Sequence, residues 1–461
     1  MSDRERSIPA MVAATPSSRD RYVDFLRAVS IAVVVFGHWL MAAVYFDDGE
    51  LSGESLLEVV PWAWVLTWLF QVMPLFFFVG GFSNLTSWRA NERRGGTYFD
   101  FVAGRVSRLM RPSAVFIGVW LAVALIAELA APAISYRLQP ALAVIAKPLW
   151  FVAVYLVVVA VAPVMLSLHR RYRQRVPLVM IVFVAAVDVL RISLGVPLVG
   201  WLNFASVWLF AHQLGFFYGD GTFLKWSRRR LATMTTMGLG ALGFLTAIGP
   251  YSLSMVGMAD GRVSNNDPPS LCMVALSVWL IGGAMLLRGR LSVWLEGRRP
   301  WGAVIAANSV IMTAFLWHLT ALLIAVVVVY PLGWPQPVGG TAEWWLLRPA
   351  WMMVLIIFLI PLVWVLARFE RPRIKRSVHD PHPSLLRVGL GITSLTFGIA
   401  GFATNGFGDV FGSAAPVTNA ALVAAGMLLL RRLQTASDEA RRVPSSPEMV
   451  HEAGSSRFVS S

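Results

Sequence analysis

Arg21-Tyr22-Val23-Asp24-Phe25-Leu26-Arg27-Ala28-Val29-Ser30-Ile31-Ala32-Val33-Val34-Val35-Phe36-Gly37-His38-Trp39 is the first long apolar stretch of the chain, and a basic residue opens it and an imidazole nearly closes it. Read as a helix, the eleven-residue step from Arg27 to His38 is about three turns, so both side chains share one face roughly 16 Å apart. An ionisable group at bilayer depth is costly and marks a functional site by default. The stretch therefore sets both the fold class and the place to look for chemistry.

The same apolar character recurs along the chain. Of 461 residues, 57% are apolar and only 14% charged, and the mean hydropathy is +0.65. Runs long enough to cross a bilayer, about 20 residues each, fall near residues 22–46, 62–86, 112–131, 148–168, 176–195, 199–219, 231–251, 271–288, 303–330, 348–367, 385–405 and 415–430. They are continuous rather than alternating, which argues against a β-barrel. The reading is an all-α polytopic transmembrane bundle, about ten core helices plus a C-terminal helical pair.

A net charge of +14 could suggest nucleic acid. Its placement argues otherwise: Arg89 to Arg111, Arg170 to Arg175, Lys225 to Arg230, Arg288 to Arg299 and Arg368 to Arg376 lie in or beside every second loop, while an alternate loop carries Asp47, Asp48, Glu50, Glu54 and Glu58. That is the positive-inside pattern, which predicts cytoplasmic termini and a multi-pass protein of the inner (plasma) membrane. Arginine far outnumbers lysine, as suits a GC-rich bacterial genome. Cys272 is the only cysteine, so neither an intrachain disulfide nor a thiolate metal cluster is expected.

By composition, residues 1–20 read as a disordered cytoplasmic arm, 21–370 as the membrane domain, 371–384 as a cytoplasmic linker, 385–431 as the helical pair and 432–461 as a disordered cytoplasmic tail. His169, His379, His382 and His451 fall outside the membrane on this reading; His38, His212 and His318 fall inside. His38 and His318 come out at similar depth and could face one cavity. No pair at metal-ligand spacing lies on one helix turn, so no metal site is expected. An imidazole can take a proton from a hydroxyl as its oxygen attacks a carbonyl. Arg27 stays protonated and offers a forked donor to an anion, with Asp24 one turn before it. The paired glycines Gly80 and Gly81 permit close helix approach, and Arg105 and Arg108, three apart, suit a bound phosphate. Asp188 and Arg191 have the spacing of a structural ion pair.

Arg27 and His38 at this spacing resemble the acyltransferase-3 family of integral membrane acyltransferases, which acylate sugars and other cell-envelope or secreted molecules. So do Pro74-Leu75-Phe76-Phe77-Phe78-Val79-Gly80-Gly81-Phe82, Arg105-x-x-Arg108-Leu109-x-x-Pro112, Leu149-Trp150-Phe151 with Pro163, and Leu316-Trp317-His318. The resemblance covers about residues 19–370. Gly80 departs from it, since the family commonly has serine there. It implies transfer of a short acyl group, such as acetyl, from cytoplasmic acyl-coenzyme A to a hydroxyl of a glycan, lipid-linked sugar or secreted metabolite. His38 would be general base or acyl carrier, and Arg27 would orient the donor or stabilise developing charge. Arg105, Arg108 and Arg111 would hold the coenzyme phosphates, and His318 would be a second site residue. The rival readings are a proton-coupled secondary transporter, which a repeat-symmetric structure would favour, and an inert scaffold or sensor that keeps the fold.

Overall fold

The computed structural model describes residues 8–47, 50–257, 260–370 and 384–431. Its helices are α1 (Ile8–Ala13), α2 (Arg21–Met41), α3 (Leu56–Val59), α4 (Trp64–Phe70), α5 (Met73–Arg93), α6 (Tyr98–Ala130), α7 (Pro132–Ala146), α8 (Leu149–Tyr172), α9 (Arg175–Ile192), α10 (Leu202–Gly219), α11 (Arg228–Ile248), α12 (Leu271–Trp294), α13 (Arg298–Ser309), α14 (Ile311–Val329), α15 (Ala342–Leu366), α16 (Leu385–Asn405) and α17 (Ala415–Arg431). Each of the twelve expected apolar runs contains helix, but the crossing read at 303–330 is split at Val310 between the end of α13 and α14. Among the described residues, nine segments are long and apolar enough to cross a membrane; α9, α10 and α17 are not among them. Both α9 and α10 are 18 residues long, about 27 Å, but α9 carries Arg175, Asp188 and Arg191, and α10 buries Asn203, His212 and Gln213 in its length. The protein is an all-α polytopic bundle.

Three further expectations need correction. The crossing read at 22–46 stops at Met41, and β1 (Ala42–Asp47) pairs antiparallel with β2 (Glu50–Ser55), Ala42 opposite Ser55 and Asp47 opposite Glu50. Val44, Tyr45 and Phe46 are strand formers, which favours the change of period. The crossing read at 62–86 is two helices, broken at Gln71 and Val72. Residues 8–20, expected as part of a disordered arm, contain α1, and Trp301 of α13 donates its indole N–H to Thr15 at 2.9 Å. Residues 1–7, the linker 371–383 and the tail 432–461 lie outside the described residues.

Local chemistry sets the helix ends. Asp20 caps α2 by accepting from the Val23 N–H. Thr97 and Asp100 form a reciprocal capping box at the start of α6. At the far end of α2, Arg348 of α15 donates to the Trp39 and Leu40 carbonyls, at 2.6 and 3.2 Å, and to that of Ala42. A guanidinium thus satisfies the carbonyls that the helix end leaves open. Gly81 lies against α10, where a Cβ would collide with the His212 carbonyl, as one at Gly215 would with that of Phe78. The C-terminal pair docks on the bundle: Glu128 of α6 accepts the Val410 and Phe411 N–H groups, and Phe407 packs against Phe116.

The bundle has two distinct faces. On one, the arginine-rich loops meet: Arg170 pairs with Glu92, Arg89 donates to the Gly219 carbonyl and Arg21 to that of Leu295. On the other, the hairpin and the long loop between α11 and α12 cover the helix ends. There Gln336 bonds Phe46, and Trp68 donates to the Leu253 carbonyl. Arg27 lies towards the basic face and His38 towards the opposite one.

Candidate active site

His38 of α2 and His318 of α14 meet edge to edge. His38 Nδ1 is 2.8 Å from His318 Nε2, with ring centroids 5.0 Å apart and planes within 10°. His318 is fully buried, and its Nδ1 lies 2.6 Å from the Phe315 carbonyl oxygen. A carbonyl only accepts, so His318 Nδ1 carries the hydrogen. In the neutral dyad His318 Nε2 is then an acceptor, and His38 Nδ1 must donate to it. That leaves His38 Nε2 with a free lone pair, on a side chain that remains accessible. Trp39 donates to the His318 carbonyl at 2.9 Å and locks α2 to α14 beside the dyad.

The cavity beside His38 holds about 250 Å³, and its walls are mostly apolar: Val33, Val34, Gly37, Met41, Leu66, Phe70, Met73, Trp150, Val256 and Phe315. Its polar groups are Ser55, Thr67, Gln71 and Asn266. The break between α4 and α5 supplies Gln71, whose amide donates to Asn266 at 3.0 Å. Irregular backbone at membrane depth is tolerated where it lines a cavity.

A second cavity, of about 440 Å³, opens at the other end of α2 and is strongly cationic. Arg19, Arg27, Arg105 and Arg108 line it, against the carboxylates of Asp20 and Asp24. Asp24 bridges Arg19 and Arg27 at 2.7 and 2.8 Å. Arg27 also donates to Ser83 Oγ at 2.8 Å, and Arg105 donates to the Ser83 carbonyl and, at 2.6 Å, to Ser87 Oγ. Two guanidinium groups are thus aimed by one residue of α5, just past the paired glycines. Gly80 makes room there: a Cβ would stand 3.1 Å from the Tyr155 ring, which lines the same cavity.

The structure joins His38 to His318 and Arg27 to Arg105 and Arg108, but it puts these two groups in separate cavities. Arg111 is not among the lining residues of the cationic cavity. His212 is held by Asn84 at 3.0 Å, a buried helix-to-helix contact. His169 is buried, between Gln213 and Asp220 at 2.9 and 3.1 Å. Asp188 and Arg191 are the expected pair, 3.9 Å apart; Asp188 also accepts from Asn203, Tyr251 and the Leu271 N–H. Sequence reasoning missed Ser83, Gln71 and Arg348 as supports. For Ser83, its place directly after the glycine motif was the available signal.

The acyltransferase-domain model of the acyltransferase-3 family matches residues 20–368. The chain belongs to this family. No curated protein and no solved structure matches it. The match begins at the cap of α2 and ends just past α15, so the acyltransferase domain holds the dyad, the His38 cavity and all of the cationic cavity but Ser18 and Arg19, while α16 and α17 lie beyond it.

Proposed function

We propose that this membrane acyltransferase carries a short acyl group from acyl-coenzyme A to an acceptor hydroxyl, with His38 as general base. The observation that carries this reading is the ordered hydrogen-bond chain from the Phe315 carbonyl through His318 to His38, which leaves Nε2 of His38 as the base. The acceptor O–H proton passes to Nε2 as its oxygen attacks the thioester carbonyl. The carbon–sulfur bond then breaks, and the coenzyme thiolate recovers that proton. Positive charge on the dyad in between is stabilised by the Phe315 carbonyl, because His318 Nδ1–H already points at it. His318 is a positioning residue in this scheme, acting through His38.

The cationic cavity supports binding of the coenzyme. Arg27, Arg105 and Arg108 offer forked donors to phosphate, and Ser83 and Asp24 hold two of them in place. Because this cavity opens on the basic face, the donor would enter from the cytoplasm and the termini would be cytoplasmic. The acceptor, a glycan, lipid-linked sugar or secreted metabolite, would meet the acyl group beside His38.

The test is coenzyme A release from acetyl-coenzyme A and other short donors by purified protein in detergent, with and without an acceptor extract, for wild type and His38→Ala. Acceptor-dependent release that the substitution abolishes supports the reading. Equal release by both proteins removes His38 from the mechanism. No release from any donor, by protein that elutes as a single folded species, sinks the acyl-coenzyme A reading.

A further inference from the structure

We infer that Phe151 is the septum between the donor cavity and the His38 cavity, and that its displacement admits the acyl group to the base. This rests on the reading of the two cavities just given. The cationic cavity is floored by Phe76 and Tyr155, and the His38 cavity by Met73, Trp150 and Phe315. Phe151 lines neither and is 1% exposed. Its ring contacts Phe76 edge-on at 4.8 Å and Tyr155 at 5.5 Å, both lining the donor cavity, and Phe315 edge-on at 5.3 Å and Trp150 at 6.3 Å, both lining the His38 cavity, with Phe77 edge-on at 5.6 Å. Among the described ring contacts it alone touches floor residues of both cavities.

The two linings are close along the helices: on α2 they pass from Arg27 to Val33, about 9 Å of rise. On α5 the lining changes from Met73 to Phe76 within one turn, a rise of about 4.5 Å; on α8 it changes from Trp150 to Tyr155 within about 7.5 Å. A thioester held by Arg27, Arg105 and Arg108 meets this ring before it meets His38. Phe315 belongs to the same cluster, and its carbonyl fixes the tautomer of the dyad. The residue that flanks the passage thus also orients the base. With the ring in place, water entering beside His38 is kept from the thioester.

Cysteine accessibility tests this without depending on turnover. The native Cys272 is fully buried, so a single added thiol is the one that reacts. Gly37→Cys puts a thiol in the His38 cavity, where a Cβ meets only Phe70 at 3.9 Å; Thr86→Cys puts one in the donor cavity. Sealed vesicles of either sidedness are treated with a membrane-impermeant methanethiosulfonate. With Phe151 present, Gly37→Cys should react only from the face opposite the basic loops and Thr86→Cys only from the basic face. Adding Phe151→Ala should raise labelling of Gly37→Cys from the basic face by on the order of tenfold or more, since truncation leaves the gap unfilled. Phe151→Leu, the gentler variant, should give a smaller rise in the same direction. Labelling of Gly37→Cys from the basic face with Phe151 intact, or labelling unchanged by folded Phe151→Ala or Phe151→Leu, overturns the septum. If the accessibility shift occurs while wild type transfers no acyl group, the septum stands and the acyltransfer reading falls.

Discussion

Removing His318 separates its positioning role from the role of His38. His318→Ala deletes the acceptor of the His38 Nδ1–H, a contact of 2.8 Å, and frees that ring to flip or change tautomer. The lost hydrogen bond matters most when the dyad carries charge, as it does after proton abstraction. Hydrogen bonds to charged groups contribute roughly 1.5–3 kcal/mol, which corresponds to a roughly 10- to 150-fold fall in kcat. The Michaelis constant for the acyl donor should change little, because His318 is fully buried and lines neither cavity. His318→Gln retains an oxygen that can accept the same bond and should recover part of the loss. A purely structural histidine would not give this split between kcat and KM, nor rescue by glutamine. The assay is steady-state coenzyme A release at saturating acceptor, with folding followed by size exclusion. Full kcat in His318→Ala, or equal inactivity of the alanine and glutamine variants when both are folded, would refute the positioning role.

Arg105→Ala and Arg108→Ala should each raise the KM for acyl-coenzyme A by roughly 10- to 100-fold, the loss of one charge-assisted contact, whereas Arg111→Ala should leave it near wild type; equal effects at all three positions would contradict the assignment. Arg348→Ala leaves the carbonyls of Trp39, Leu40 and Ala42, at and just past the end of α2, without this donor, at a cost of about 1–3 kcal/mol per buried group; the melting temperature in detergent should fall, and an unchanged value would count against the cap. Burial raises the pKa of the Asp220 carboxyl, but the Thr222 hydroxyl and N–H and the His169 N–H outweigh it and hold the group below its ordinary value. Its stabilisation is therefore present above the unfolded pKa of about 3.9 and lost as pH falls through the folded value. Asp220→Asn should lower the melting temperature at neutral pH and converge with wild type in acid; a gap constant with pH would exclude this linkage.

Hydropathy and charge alternation made the bundle legible, because the bilayer requires long apolar helices and sorts arginine by face. They also placed His38 and His318 at one depth, where the structure brings them into contact. Helix periodicity put Arg27 and His38 on one face of α2, yet that face runs the length of the helix. Only three-dimensional packing shows that its two ends serve different cavities. The break at Gln71 and Val72 had a signal in Pro74, at the start of α5, but the apolar residues on both sides read as one crossing. Ser83 and Arg348 could not be assigned from spacing either: their partners lie 22 to 309 residues away. Phe151 stood in plain sight within Leu149-Trp150-Phe151, but a ring that lines no cavity reads in sequence as core.

The most direct test of the mechanism follows ester product and coenzyme A together, by mass spectrometry, in wild type and His38→Gln. Glutamine approximates the size of the imidazole and cannot act as a base near neutrality. Wild type should form one acyl ester for each coenzyme A released, and His38→Gln should form neither while remaining folded and monodisperse. Ester formation by His38→Gln at the wild-type rate would contradict the role of His38 as the base.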